Sequence, residues 1–337
     1  MCKTVRFCIL GTNFISDLFA EAVIAAEGAS ICAVYSRTQA TGQAFADRHG
    51  IGKVYTDMDA MLTDASIDAV YIATPNRCHY PMAKRALSAG KHVLCEKPMT
   101  ECAEQTEELI RLSETVGRVL LEAMRPDFDP AYPVLREALL RIGRIRRVEL
   151  SFCQYSSRYD RFRRGEVLNA FDPTIGNCAL ADIGIYPLHM AVSLFGEPSA
   201  LTGASVFLSN GFEGAGQALL SYPAQGYTVC VSYSKIANGL HPSLIEGEDG
   251  SITVDKLTTP SRILLYPRTG GQEELYRADI PNNMVYEIDA FCSMVRGERP
   301  WQAYLSLTHR TMRVYDAIVR NNGIFPVPTA EGGDKNI

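Results

Sequence analysis

The sequence of 337 residues contains no uninterrupted apolar run of about 18 residues, the length that a membrane-spanning helix requires. The apolar stretch near its N-terminus, in MCKTVRFCILG, is too short for a signal peptide. Basic residues are not in excess, since 33 Lys and Arg face 38 Asp and Glu, for a formal net charge of −5. Phosphate contacts need concentrated positive charge. We therefore expect neither a nucleic-acid partner nor a membrane partner.

Paired metal-ligand spacings are also missing. The ten cysteines are scattered without a CxxC pair, and the six histidines form neither HxH nor HExxH. No metal site and no metal cofactor is therefore predicted. Scattered, unpaired cysteines are typical of reduced, mostly buried thiols, which favours a cytoplasmic protein.

What the sequence does contain is a regular alternation of strands and helices over its first third. Such alternation is typical of βαβ units, which build a parallel sheet. Apolar, β-branched runs predict strands over 5–10, 30–35, 68–73, 92–95 and 119–122. Amphipathic patterns predict helices over 16–27, 41–49, 80–89 and 101–116.

The pattern changes after about residue 123, where strands follow one another with few helices between them. Consecutive strands with turn signals predict a large, mostly antiparallel sheet. We expect strands over 145–152, 200–207, 217–221, 227–232, 251–254 and 262–266. We expect helices over 130–140, 185–195, 284–296 and 306–321. The fold class is thus α/β: a Rossmann dinucleotide-binding domain (1–122) and an α+β domain with an open sheet for substrate binding and oligomerisation (123–337). The tail from residue 330 is expected to be frayed.

The first strand runs into a turn where a dinucleotide-binding fold carries GxGxxG. Only Gly11 of the three glycines is present, with Asn13 and Ser16 in the other places. Asn tolerates left-handed dihedral angles better than most residues, and Ser is small enough for close packing of helix on strand. Any tight turn between strand and helix is the alternative. The residues that we expect to hold the pyrophosphate are Gly11, Thr12, Asn13, Phe14 and Ile15.

The end of the second strand bears on the choice of dinucleotide. An NAD-binding site places Asp or Glu there, to accept from the ribose hydroxyl. This strand ends instead in Ser36 and Arg37. A hydroxyl and a guanidinium suit a 2′-phosphate, so the pair favours NADP(H) over the alternative NAD(H). Arg37 as an ordinary surface residue is the other interpretation.

Three motifs carry a resemblance to a known family. They are Thr74-Pro75-Asn76 followed by His79, Gly90-Lys91-His92 followed by Glu96-Lys97-Pro98, and Asp182-Ile183-Gly184-Ile185-Tyr186. Together they resemble the Gfo/Idh/MocA oxidoreductases, and Tyr186, where other branches carry His, resembles the dihydrodiol and D-xylose dehydrogenase side. The resemblance implies a catalytic set of Lys97, Asp182 and Tyr186, and often a cis bond between Lys97 and Pro98. It also implies cofactor contacts from Thr74, Pro75, Asn76, His79, Glu96 and Lys97.

Hydride transfer between an alcohol and a carbonyl needs a proton donor or acceptor beside the reacting oxygen. Tyr186 can serve if its pKa, ~10 in the free side chain, is lowered, and a nearby ammonium such as Lys97 favours the phenolate. Asp182 lies four residues earlier, so it shares a helical face with Tyr186. We expect the phenol to face a wet cleft. His189, one helical turn further on, is an alternative proton donor or substrate contact.

A basic stretch over 158–164 follows a predicted strand and precedes the segment of Asp182. A solvated strand end is its ordinary interpretation. It can also form a flap, with Arg158, Tyr159 or Arg161 facing an oxygen-rich substrate.

These observations predict an enzyme, an NADP(H)-dependent dehydrogenase or reductase that acts on a carbinol or carbonyl carbon of a sugar, cyclitol or vicinal diol. By analogy with the family it forms a homodimer or homotetramer through the open sheet. Two alternatives remain: a non-catalytic NADP(H) sensor, and an NAD-dependent glycosidase or dehydratase on the same scaffold.

Overall fold

The computed structural model describes residues 4–166 and 168–324. A six-stranded parallel sheet has the strand order β3-β2-β1-β4-β5-β6. Its strands are β1 (Val5–Leu10), β2 (Ala29–Tyr35), β3 (Val54–Tyr55), β4 (Ala69–Ile72), β5 (His92–Glu96) and β6 (Leu120–Ala123). The helices that connect them are α1 (Phe14–Ala25), α2 (Gln39–His49), α3 (Met58–Thr63), α4 (Asn76–Ser88) and α5 (Ala103–Val116).

The apolar runs of this sheet are covered on both faces, as a doubly wound parallel sheet requires. All four residues of β4 are buried, and so are all four of β6. The strand order reverses between β1 and β4, which lie side by side although α1, β2 and the following elements separate them in the chain. Ligands of open α/β sheets bind beyond the carboxyl ends of the strands at such a reversal.

An eight-stranded sheet has the order β14-β13-β12-β11-β7-β10-β9-β8. Its strands are β7 (Ile145–Cys153), β8 (Ala200–Phe207), β9 (Glu213–Tyr222), β10 (Tyr227–Ser234), β11 (Ser243–Gly247), β12 (Gly250–Val254), β13 (Arg262–Pro267) and β14 (Glu273–Arg277). Among the described strands, β7 and β10 form the sole parallel pair of this sheet. The remaining helices are α6 (Ala131–Leu139), α7 (Tyr159–Arg163), α8 (Ile185–Phe195), α9 (Met284–Val295) and α10 (Gln302–Asn321).

The second sheet has one packed face and one open face. Along β9, Ala218 and Leu220 are buried whereas Gln217 and Leu219 are exposed. The buried residues belong to the core that includes α8 and α10. Alternation of this kind is the period of two that a half-buried strand imposes on its side chains.

Helix α9 lies close to the end of the chain, yet it packs on the first sheet. The Phe291 ring lies 5.5 Å from the Phe7 ring of β1, and both belong to one buried cluster. Residues from both predicted domains therefore complete the core of the first sheet. The division at residue 122 stays a prediction.

The predicted fold class is confirmed, and every predicted strand and helix is present with its ends displaced by a few residues. Strands β3, β11 and β14 and helices α3 and α7 were not predicted, since they are short or, in β14, rich in charge. Of the nine described cysteines, all are free thiols, four buried and five half-buried. Predicted fraying from residue 330 falls outside the described residues. None of the described helices combines the length and apolarity needed to cross a bilayer.

Candidate functional site

The turn after β1 brings its backbone against β4. Gly11 has a φ of +107°, and a Cβ atom at this position would lie 2.4 Å from the carbonyl oxygen of Ala73. Only glycine fits there. Asn13 is extended, with φ −90° and ψ 180°, so the left-handed conformation that it was expected to tolerate is not used. Its side chain instead caps α1, since Oδ1 accepts from the N–H of Ile15 (2.9 Å) and of Ser16 (3.3 Å).

This turn fits a bound pyrophosphate in part. It has no side chain at Gly11, and the N-terminus of α1 stands beside it, where the helix dipole favours an anion. Phe14, in the first turn of α1, leaves 67% of its surface exposed, as expected for a residue that covers a bound group. The Asn13 cap already occupies two N–H groups, so the helix end has fewer donors to offer than a glycine-rich turn has.

The end of β2 carries polar groups and no carboxylate. Ser36 Oγ lies 2.5 Å from Thr41 Oγ1, and Thr38 caps α2 by accepting from the N–H of Thr41. Arg37 is exposed next to them. Its guanidinium, a hydroxyl and the N-terminus of α2 are groups suited to a 2′-phosphate.

His79 joins the turn after β4 to the turn after β5. It is 1% exposed, and its two ring nitrogens each lie 2.8 Å from a carbonyl oxygen, that of Pro98 for Nδ1 and that of Thr74 for Nε2. Burial lowers the pKa of His79, although both carbonyls oppose this effect. The Lys97–Pro98 bond is cis, as the family resemblance implied.

Two predicted cofactor contacts have partners inside the protein. The Nδ2 atom of Asn76, which follows Pro75 at the start of α4, donates to the carbonyl oxygen of Gly176 at 3.0 Å and so links the first sheet to the segment before Asp182. Glu96 is 7% exposed, and its Oε1 accepts from the Tyr71 hydroxyl at 2.6 Å.

Lys97, Asp182 and Tyr186 meet beyond the end of β5. Lys97 Nζ donates to the carbonyl oxygen of Asp182 at 2.6 Å and lies 3.4 Å from its Oδ1. The same Nζ lies over the Tyr186 ring, 5.0 Å from the centroid. The structure thus brings together the three residues that the motifs singled out, although they come from distant parts of the chain.

Charge pairing dominates the titration of this cluster. Burial acts to raise the pKa of Asp182, but the positive charges of Lys97 and Lys235 outweigh it and lower that pKa to about 2. Burial acts to lower the pKa of Lys97, but Tyr186 and Asp182 outweigh it and raise that pKa. Asp182 is therefore a carboxylate at neutral pH and Lys97 an ammonium.

Asp182 sits in a π-helical turn, Leu180–Gly184, that leads directly into α8. The turn is anchored at its first residue, where the buried carboxylate of Glu213 accepts from the N–H of Leu180 at 2.8 Å. Such single wide turns are frequent at functional sites. This one lets Asp182 and Tyr186 both reach Lys97.

Tyr186 is more enclosed than expected. It is 5% exposed, and its ring packs edge-on against Phe152 at 5.9 Å, so the expectation of a phenol facing a wet cleft is wrong for the ring. The guanidinium of Arg125 lies against the Tyr186 phenol. Burial acts to lower the pKa of Arg125, but Tyr186 and Glu287 outweigh it and raise that pKa.

Sequence reasoning missed Lys235, Arg125 and Glu287. Glu287 is fully buried, burial raises its pKa well above the ordinary value, and no described residue hydrogen-bonds to either of its carboxylate oxygens. The sequence places Lys235 directly after the hydroxyl-rich strand β10, but no local pattern links this lysine to Asp182.

The remaining candidates have other neighbours than Lys97. His189 is 1% exposed, and its Nε2 lies 2.9 Å from both carboxylate oxygens of Asp127, so it is held in the interior. Arg158 is exposed at the start of α7. The ring of Tyr159 lies 5.4 Å from that of Phe171, tilted by 40°. Their contact with substrate stays a prediction.

No group of three or more His, Cys, Asp or Glu within residues 4–166 and 168–324 is arranged to hold a metal ion.

Comparison with known proteins places this geometry in context. A family model described as an oxidoreductase family with an NAD-binding Rossmann fold matches residues 5–124, and a GFO/IDH/MocA C-terminal domain model matches residues 138–253. The scyllo-inositol 2-dehydrogenase (NADP(+)) of Bacillus subtilis is 40% identical over 292 residues, covering 87% of this chain and 88% of that protein. The trans-1,2-dihydrobenzene-1,2-diol dehydrogenase of Mus musculus is 28% identical over 241 residues, covering 70% and 69%.

Among solved structures, a 3-ketoreductase from Actinomadura kijaniata in complex with NADP and TDP-benzene matches with a TM-score of 0.84. The match covers 95% of this chain and 98% of that one at 24% sequence identity. At this identity the likeness concerns the fold alone.

Proposed function

This chain belongs to the Gfo/Idh/MocA oxidoreductase family, and we propose that it is an NADP(H)-dependent dehydrogenase of sugars, cyclitols or vicinal diols. The observation that carries the proposal is the meeting of Lys97, Asp182 and Tyr186 at the carboxyl edge of the first sheet. This edge also holds the Gly11 turn and the start of α1.

A nicotinamide bound at this edge supplies or accepts a hydride. The chain's own residues then control the proton. In the oxidation direction Tyr186 takes the proton from the substrate hydroxyl, and in the reduction direction it returns one. Two cations interact with this tyrosine, Lys97 over its ring and Arg125 at its phenol, on the group that exchanges the proton.

Asp182 supplies a carboxylate that recognises neighbouring hydroxyl groups. Its side chain is 39% exposed, and Lys97 and Lys235 keep it ionised. An ionised carboxylate accepts hydrogen bonds from hydroxyls and donates none. This favours a polyhydroxylated substrate over a simple alcohol, in agreement with the inositol and diol substrates named for the two relatives.

The preference for NADP(H) over NAD(H) rests on Ser36 and Arg37. Arg37 is exposed where an NAD-binding site has a carboxylate, and Thr38 places the N-terminus of α2 beside it. Support comes from the NADP-dependence stated for the Bacillus subtilis relative.

We propose a homodimer or homotetramer that associates through the open face of the second sheet. This face presents apolar side chains, among them Val206 (55% exposed) and Leu219 (40% exposed), beside ion-paired residues such as Arg147 and Glu149. A cytoplasmic location stays a prediction from the cysteine pattern.

The decisive experiment is a panel of cyclitols, aldoses and vicinal diols, each assayed with NADP+ and NAD+ at the nicotinamide absorbance band. A steady increase of reduced dinucleotide with one substrate class supports the dehydrogenase. Tight NADPH binding without turnover of any panel member contradicts it and favours the sensor. Substrate consumption without net nicotinamide reduction favours the glycosidase or dehydratase.

A further inference from the structure

Lys235 follows the end of β10 and is a buried lysine whose one role so far is to lower, together with Lys97, the pKa of Asp182. Its side chain is 4% exposed. The Nζ atom lies 2.7 Å from Asp182 Oδ2 and donates to the carbonyl oxygen of Ala170 at 2.5 Å. Two aromatic rings flank it, Phe171 at 4.9 Å and Phe212 at 5.0 Å from Nζ to the centroid.

The two lysines hold Asp182 in different ways. Lys235 makes the short contact to the carboxylate, at 2.7 Å, whereas Lys97 is 3.4 Å from it. The short bond of Lys97, at 2.6 Å, goes to the backbone carbonyl of Asp182. Because charge-assisted N–H···O bonds are shortest near 2.7–2.9 Å, the carboxylate is chiefly the partner of Lys235.

The exposures of the three side chains separate their roles. Asp182 is 39% exposed, while Lys97 is 13% and Lys235 4% exposed. The carboxylate is therefore the part of the cluster that solvent and ligands reach. Lys235 lies behind it, enclosed by rings, and has no access to a substrate.

We propose that Lys235 is a positioning residue for the reaction: it holds the Asp182 carboxylate toward solvent, so that Lys97 makes only the longer of the two contacts to it. The proposal rests on the proposed function of Asp182 and Lys97. Without Lys235, Lys97 is the one cation left for this carboxylate among residues 4–166 and 168–324, and a direct ion pair would draw the ammonium off the Tyr186 ring. With it, the one carboxylate is shared by two cations, and Lys97 retains a donor for the reacting oxygen.

Lys235 also connects the segment that precedes Asp182 to the second sheet. Ala170 and Phe171 belong to a short 3-10 helix, Asn169–Phe171, and Lys235 bonds to the first and lies over the second. The Lys235 ammonium thus fixes both the Asp182 carboxylate and the short 3-10 helix Asn169–Phe171. This dual contact explains why a cation is kept among aromatic rings, where it must otherwise pay for desolvation.

The test compares Lys235→Met, Lys235→Arg, Asp182→Asn and the Lys235→Met/Asp182→Asn double variant. Turnover is measured in the reduction direction, where the loss of activity at acidic pH reports Asp182 rather than a need for ionised Tyr186. The charged and titratable groups that face Asp182 or Lys97 are Lys97, Lys235, Tyr186, Glu96 and Arg125.

We expect Lys235→Met to lower kcat/KM about 10- to 100-fold, as for a lost charge-assisted contact. Removal of the Lys235 charge raises the pKa of Asp182. The variant therefore loses kcat at acidic pH values at which the parent keeps its activity. Lys235→Arg keeps the charge and restores the parent profile. When Asp182→Asn is already present, adding Lys235→Met should lower kcat/KM by a further factor of less than about two, because the two residues act as a unit.

The proposal would be overturned if the losses of kcat/KM at positions 182 and 235 were additive, or if Lys235→Met kept the pH profile of the parent at acidic pH. Lys235 would then be a packing residue. If the substrate panel shows no turnover at all, the proposed function fails separately. The same four proteins then report through denaturant unfolding at neutral pH. Non-additive stability losses at positions 182 and 235 support the positioning contact, and additive ones contradict it.

Discussion

The ammonium of Lys97 lies over the face of the Tyr186 ring, 5.0 Å from its centroid, rather than at the phenol oxygen. A cation in this place is attracted by the negative face of the ring. Its N–H bonds go to Asp182, which leaves the phenol oxygen to Arg125 and to a substrate. The site therefore divides the work between two cations that approach one tyrosine from different sides.

Tyr186→Phe removes the hydroxyl and keeps the ring. Since general acid–base catalysis contributes ~10²–10⁴-fold, we expect kcat to fall by that order. In the oxidation direction a base must take the proton of the substrate, so we expect the parent rate to rise with pH and the variant to lose this limb. Stopped-flow and steady-state pH profiles measure both effects. A variant that retains the limb, with His189→Ala losing it, would move the proton transfer to His189.

Lys97→Met keeps the length of the side chain and removes the charge. We expect turnover to be lost while NADPH affinity changes by less than about threefold, because the ammonium faces Asp182 and Tyr186 rather than the turn at Gly11. Fluorescence titration with NADPH checks the second part. Lys97→Arg is the matched control for charge. Near-normal turnover of the Met variant would exclude a role for Lys97 in the reaction.

Arg37→Ala tests the choice of dinucleotide. A charge-assisted pair with the 2′-phosphate is worth ~1.5–3 kcal/mol, so NADPH binding should weaken roughly 10- to 150-fold. NADH has no 2′-phosphate, and its affinity for the same variant serves as the internal control. Equal or tighter binding of NADH by the parent protein would refute the preference.

His189→Gln tests the buried pair with Asp127. Burial acts to lower the pKa of His189, but Asp127 outweighs it and raises that pKa above 6.5 in the folded protein. Because the pKa of His189 is raised, its charged pair with Asp127 stabilises the folded protein fully below pH 6.5. This stabilisation is lost as the pH rises through the pKa that His189 has in the folded protein. The Tm advantage of the parent over the variant should thus be larger at pH 6 than at pH 8. An advantage that grows with pH would contradict the charged pair.

Leu219→Arg places a charge on the open face of the second sheet. If the oligomer forms there, burial of that charge is costly and the assembly dissociates. Ile24→Arg is the matched control, because Ile24 is an exposed apolar residue (86%) of α1, on the first sheet's side of the molecule. Light scattering after gel filtration gives the mass of each. A parent protein that is monomeric at micromolar concentration would disprove the interface.

Apolar runs were sufficient to predict both sheets apart from the short strands β3, β11 and β14, and the family motifs pointed to the group of Lys97, Asp182 and Tyr186. Periodicity reports burial, and burial of β1 and β4 is nearly complete. Contacts made only by the tertiary fold left no local pattern. Lys235 reaches Asp182 because β10 and the π-helical turn pack together. No spacing in the sequence predicts this packing.

The positions of two side chains, Asn13 and His189, depend on hydrogen bonds that the sequence pattern does not reveal. Asn13 was judged by its tolerance for unusual dihedral angles, whereas its side chain found N–H groups to cap, which is the stronger preference of Asn at a helix start. Helical spacing makes His189 an alternative to Tyr186, and the structure holds its ring against Asp127, 2.9 Å away; its role in the reaction stays a prediction. In both cases a hydrogen-bond partner decided the position.

The contact of Phe291 with Phe7 has a consequence for the order in which the protein is made. Phe7 leaves the ribosome among the first residues and Phe291 among the last. For most of translation, the nucleotide-binding half lacks the helix that closes its core, and the apolar surface of β1 and α1 stays uncovered. A nascent chain stalled at residue 280 should accordingly be captured by chaperones and digested by protease, while one released at full length should resist both.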